Sequence, residues 1–151
     1  EDDAKVVHEL MNNADIRIVS GGTTSQIVAR ELGVEVKSST EIYDKEVPPI
    51  AYIQGVDLVT EGVLTLSKTI DRLKSLSKSL DSDIFKAKDG ASQMAKLLYS
   101  ASHIKLLVGR SLNIANAESS FQRDLELRLH VVGELEKILV KLGKIVTVEY
   151  Y

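Results

Sequence analysis

The chain has no cysteine, which excludes disulfides and thiolate metal sites and fits a reducing cytoplasm. It has no apolar run approaching the roughly 20 residues of a membrane-crossing helix, and no signal peptide is visible. Its two prolines stand together at 48 and 49, where no helix can continue. Three histidines, His8, His103 and His130, are scattered without HxxxH or HExxH spacing, which argues against a histidine metal site. Asp81 and Asp83 lack the glycine and distal glutamate of a calcium loop. A strong excess of one charge is also missing. The net charge of −3 gives no non-specific pull toward nucleic acid. There is no low-complexity segment and no defensible internal repeat.

What is present is the composition of a globular protein. With 151 residues, 44% apolar and 27% charged, the chain is expected to form one α/β domain over 1–151 with a real core. It begins Glu1-Asp2-Asp3 without methionine, as expected of a processed chain or a piece of a longer one. The most informative stretch is Asp15 to Arg30. An apolar strand-type run from Ile16 to Val19 stops at Ser20-Gly21-Gly22, and Thr23, Thr24 and Ser25 lead into a helical pattern carrying Ile27, Val28 and Leu32. Paired glycines let the backbone turn tightly and approach a ligand closely. The hydroxyls can cap the helix, and its free N–H groups and dipole favour an anion. This is neither a Walker loop nor a GxGxxG fingerprint, and a plain tight turn is the alternative reading.

The same logic recurs along the chain. Asp2 or Asp3 can cap a first helix with Val6, Val7, Leu10 and Met11, and Gly33 is placed to end the helix after the glycine turn. Strand-like alternation is expected at Val34-Glu35-Val36, a polar loop over 37–50, and a short extended piece over 51–53. Gly55 to Gly62 is a second apolar stretch ending in polar residues and glycine. A long helix is expected over 63–80, with Leu66, Ile70, Leu73, Leu76 and Leu80 as its stripe, read as core with a dimer seam as the alternative. A polar connection over 81–88 and a turn at Asp89-Gly90 precede a helix over 91–100. His103 to Gly109 reads as a central strand covered on both faces, 110–122 as loop, 127–142 as helix, and 144–151 as a final β-branched strand. Lys68, Arg72, Lys74, Lys78, Lys86 and Lys88 among Asp71, Asp81, Asp83 and Asp89 read as a solvated face. Alternating strands and helices predict right-handed crossovers and a mostly parallel sheet flanked by helices on both faces, a Rossmann-like three-layer fold.

In an open α/β sheet, ligands bind beyond the carboxyl ends of the strands. Three strand exits should deliver the candidate ligand-binding set there: Ser20, Gly21, Gly22, Thr23 and Thr24; then Asp57, Thr60 and Glu61 beside Gly62; then Gly109, Arg110 and Asn113 beside Ser111. Backbone donors, hydroxyls, carboxylates and a guanidinium suit a small phosphorylated or carboxylated molecule. Arg110 can clamp the anion in a bidentate fork, or pair with a surface carboxylate. Glu61 can accept from hydroxyls or act as a general base, or simply complement a helix dipole.

Several segments, in order, carry a family resemblance: 20–33 (Ser-Gly-Gly-Thr-Thr-Ser-Gln-Ile-Val-Ala-Arg-Glu-Leu-Gly), Pro48-Pro49, 55–66 (Gly-Val-Asp-Leu-Val-Thr-Glu-Gly-Val-Leu-Thr-Leu), 89–92 (Asp-Gly-Ala-Ser), 108–113 (Val-Gly-Arg-Ser-Leu-Asn) and 142–151 (Leu-Gly-Lys-Ile-Val-Thr-Val-Glu-Tyr-Tyr). Together they resemble the C-terminal region of bacterial stage II sporulation protein E-like serine/threonine phosphatases, over nearly the whole chain. Members often carry cysteine where Ser20 stands. They also tend to have a Pro-Ala-His-Gln-type stretch where this chain has 114–120 without histidine or proline, so roles tied to those residues do not carry over. The resemblance implies an upstream phosphatase domain binding manganese or magnesium through aspartates that have no counterpart here. It therefore implies phosphatase activity for a parent protein and an accessory role for this chain, with no cofactor of its own. The expected partners are that phosphatase domain, a small anionic metabolite or a second copy, and neither nucleic acid nor membrane. The alternatives are an enzyme acting on a phosphorylated small molecule with Glu61 as base, and an oligomerisation module.

Overall fold

Local sequence pattern places most of the elements. The computed structural model describes residues 2–80, 82–110 and 118–151, the side chains of 118–121 excepted. Its elements are α1 (Asp3–Asn12), β1 (Ile18–Ser20), α2 (Gly22–Leu32), β2 (Lys37–Ser38), β3 (Ala51–Tyr52), β4 (Leu58–Thr60), α3 (Val63–Lys78), α4 (Ser82–Lys86), α5 (Gly90–Ser100), β5 (His103–Val108), α6 (Glu118–Lys141) and β6 (Ile145–Tyr150). The extended pair at 37–38 lies beyond the alternation of Val34 to Val36. The connection after α3 contains a short helix, because Ile84 finds a buried position there. Helix α6 begins well before 127. Helix α3 stops at Lys78, which leaves Leu80 outside the stripe and 72% exposed. Asp89 is no mere turn residue. Its carboxylate accepts from the Ser92 amide and caps α5.

The predicted mostly parallel, three-layer sheet does not form. Among the described residues the strands make two sheets. One is mixed, in the order β1-β4-β3-β2: β1 and β4 are parallel, while β3 runs antiparallel to both β4 and β2. The other is β5 and β6 alone, parallel from His103↔Ile145 to Val108↔Tyr150. Connection length explains the first departure. Only residues 53–57 join β3 to β4, turning through Gly55 at φ +93° with the Val56 amide on the Ile53 carbonyl. A parallel crossover needs about a dozen residues, so this link dictates an antiparallel neighbour. Strand β5, expected to be central, pairs with β6 and leaves Lys105 exposed.

The core follows the two-residue period of the strands. On β1 and β4, Val19 and Val59 enter one apolar cluster with Val7 of α1 and Val28 and Ala29 of α2. Leu58 enters the other, with Ile18 packed against it. That second cluster joins α3 (Ile70, Leu73, Leu76), α5 (Met94, Ala95, Leu98), α6 (Val131, Leu135, Ile138, Leu139) and Ile104 of β5. The α3 stripe is therefore consumed within the chain.

Helix α1 is tied to the second sheet by charge. Lys105 Nζ lies 2.5 Å from Glu9 Oε1 and 3.2 Å from Glu149 Oε1. The Lys105 hydrogen bond, helped by Asn13, holds the Glu9 carboxyl below its ordinary 4.5, and the Glu9 hydrogen bond raises Lys105. A depressed carboxylate stabilises the fold above the ordinary value and loses that contribution as pH falls through the folded one. A raised lysine loses its contribution only as pH rises through its own folded value. Amide exchange in α1, corrected for intrinsic rates, should therefore be slowest from about pH 5 to 9. It should quicken in acid, and in Lys105→Met the acid step should shrink to the part that Asn13 supports.

Candidate functional site

The carboxyl ends of β1 and β4 meet because the strands are parallel and in register, Ser20 opposite Thr60. The Gly21 amide donates to the Thr60 carbonyl at 3.0 Å. Thr60 Oγ1 donates to Ser20 Oγ at 3.3 Å, and Ser20 Oγ donates to the Glu61 carbonyl at 3.1 Å. Gly21 adopts φ +108°, a conformation that side chains disfavour. A Cβ on Gly62 would stand 3.5 Å from the Gly21 Cα. Thus α2 and α3 start side by side at one edge of the sheet.

Their first turns differ in what fills them. Neither cap residue, Gly21 nor Gly62, supplies a side-chain acceptor. The amides of Gly22, Thr23 and Thr24 take no protein acceptor among the described residues, and Gly22, Thr23 and Thr24 are exposed. On α3, Glu61 folds back: its Oε1 accepts from the Thr65 amide at 3.1 Å and from Thr65 Oγ1 at 3.3 Å. That leaves the Val63 and Leu64 amides without a protein acceptor among the described residues. Helix α5 begins beside them, since a Cβ on Gly90 would stand 3.4 Å from Thr60 Cγ2 and 3.7 Å from Thr65 Cγ2. Its first turn is already filled by Asp89.

The structure therefore gathers Ser20, Gly21, Gly22, Thr23, Thr24, Thr60 and Glu61. Asp57 is at the other end of β4, about 10 Å away along three residues, where it accepts from the Arg17 amide at 2.7 Å. Gly109 and Arg110 leave β5 in the second sheet. The Arg110 amide donates to the Tyr151 carbonyl, its guanidinium lies 5.4 Å from the centre of the Tyr150 ring, and Arg128 donates to the Gly109 carbonyl. These described partners of Arg110 do not include the glycine turn. Asn113 and Ser111 lie outside the described residues.

One cluster escaped the sequence reading. Arg72 and Asp89, assigned to a solvated face, are instead inside a polar network. Arg72 Nε donates to Ser92 Oγ at 2.8 Å, and its Nη2 lies 3.0 Å from Asp44 Oδ2 and 3.4 Å from Asp89 Oδ2. Asp89 is only 6% exposed. The spacing of Asp89, Gly90 and Ser92 is a capping signal that could have revealed part of it; the partner from α3 could not be read locally. Among the described residues no three histidine, aspartate or glutamate side chains converge as a metal site would require, and no helix is long and apolar enough to cross a membrane.

Asp89→Ala should cost about 2–3 kcal/mol, since it uncaps α5 and strips a buried partner from Arg72. Asp89→Asn, which keeps an acceptor for Ser92, should cost less, as read by chemical denaturation. Glu61→Ala should cost about 1 kcal/mol as a lost helix cap, and Glu61→Gln under about 0.5 kcal/mol. Equal losses in both Glu61 variants would remove the capping role.

Comparison with protein-family models, curated proteins and solved structures finds no match to this chain.

Proposed function

We infer that this chain is an accessory, regulatory domain that binds a small anion at the adjoining first turns of α2 and α3. The observation carrying this reading is the close approach of Gly62 to Gly21, where a Cβ on Gly62 would reach the Gly21 Cα at 3.5 Å, which sets the open amides of Gly22, Thr23 and Thr24 near those of Val63 and Leu64. Aligned peptide dipoles and unsatisfied donors at two helix starts favour a phosphate or carboxylate. The resemblance to stage II sporulation protein E-like phosphatases suggests a cytoplasmic setting, with the neighbouring phosphatase domain as the partner that responds. Manganese or magnesium would belong to that neighbour. Glu61 serves this reading as a helix cap, its Oε1 accepting from the Thr65 amide and hydroxyl. Arg110 and Asp57 are not needed for this site.

Thr23→Asp tests the reading by placing a fixed carboxylate in the open turn of α2. Thermal unfolding of the wild type should rise with added inorganic phosphate or phosphorylated metabolites. The variant should be more stable on its own, by about 0.3–1 kcal/mol, and should lose the response to anions. A wild type indifferent to every anion, or a variant that responds as strongly as wild type, would defeat the proposal.

A further inference from the structure

The loop between β2 and β3 crosses the same edge of the sheet. Because β3 runs antiparallel to β4 with Ala51 opposite Val59, Ile50 stands level with Thr60. Both reach Gly90: a Cβ there would meet Ile50 Cγ2 at 2.9 Å and Thr60 Cγ2 at 3.4 Å. From this root, residues 39–50 return over α3. Their attachments are few. Asp44 holds Arg72 at 3.0 Å, Glu46 holds Lys68 at 3.1 Å, and Val47 is buried to 3% exposure. Among the described residues the tip has no such hold, with Ile42 and Tyr43 exposed and the Tyr43 hydroxyl donating to Glu41 within the loop itself.

Lys68 and Arg72 are four residues apart, on one face of α3. Each is held by a carboxylate from the loop. Arg72 keeps Asp89 and Ser92 even without Asp44, so the helix loses little when the loop leaves. The loop, by contrast, loses both of its charged anchors. The Lys68–Glu46 pair is largely exposed and the Arg72–Asp44 pair only partly buried; ion pairs with access to water are weak and screened by salt, so these charged anchors can release under conditions that leave the core intact.

We propose that residues 39–50 form a strap latched over α3 by Asp44 and Glu46, and that release of the latch presents Lys68 and Arg72 on α3, with Arg72 beside the first turn of α5. The strap carboxylates occupy the two cations that an incoming acidic group would use. The latch stands apart from the anion site: it concerns the motion of 39–50, whether or not phosphate binds at Gly22.

Hydrogen exchange on the full chain tests it. The reporters are the amides of Glu46 and Val47, which donate to Asp44 Oδ1 and the Asp44 carbonyl. In the double variant Asp44→Asn/Glu46→Gln, the side-chain oxygen retained at position 44 can still accept from the backbone amide of residue 46. Even so, these amides should exchange about two- to thirtyfold faster. Amides of β4 and α5 should keep their rates. Sodium chloride raised from about 0.05 M to 1 M should move the wild type in the same direction and leave the variant nearly unchanged. Strap exchange that is equal in wild type and variant, and indifferent to salt, overturns the proposal. Should the variant exchange faster everywhere, the wild-type salt series decides: an increase confined to 39–50 sustains the latch, and a uniform or absent one overturns it.

Discussion

The parallel pairing of β1 with β4 is the constraint on which the rest depends. Each strand has three residues, and each residue has a separate task. Val19 and Val59 close the cluster under α1 and α2, while Leu58, with Ile18 against it, serves the cluster under α3, α5 and α6. A slip of one residue would exchange these faces. The next residues, Ser20 and Thr60, are joined by their hydroxyls and by the Gly21 amide. Both segments must then leave the sheet at once, and glycines at 21 and 62 allow two helices to begin there close together.

Buried polarity concentrates at the same edge because helix starts bring unpaired donors. Three solutions coexist. At α5, Asp89 accepts from Ser92 and is itself braced by Arg72. At α3, Glu61 reaches back to Thr65. At α2, no side chain fills the turn. The buried hydroxyl of Thr69 is accounted for by the Thr65 carbonyl at 2.8 Å, so this hydroxyl is satisfied within its own helix. The unfilled start of α2 stands out against neighbours built from the same kind of element.

The strap adds a second layer to that edge. It belongs to the antiparallel half of the mixed sheet, so the departure from an all-parallel arrangement has a consequence for the site. An antiparallel β3 begins where β4 ends, and the connection that feeds it must pass across the helix starts. Arg72 links the pieces, touching the strap through Asp44 and α5 through Asp89 and Ser92.

By itself the sequence determined the local stops and stripes. The glycine turn after Val19, the apolar face from Leu66 to Leu76, the ends of helices at Gly33 and Gly143, and the β-branched strand before Tyr151 were all legible, because periodicity and backbone freedom act within a few residues. The grouping of Ser20 to Thr24 with Thr60 and Glu61 was legible too, since both segments end a strand. Tertiary structure alone decided which strands are neighbours and which polar groups meet. Asp57 and Glu61, four residues apart, lie at opposite ends of one strand, and Arg110 leaves a different sheet altogether. Arg72 and Asp89 carry charges that suit water, yet they are drawn inside by each other across 17 positions of chain. Such pairings depend on distances in space between remote segments, and local pattern carries no record of those distances.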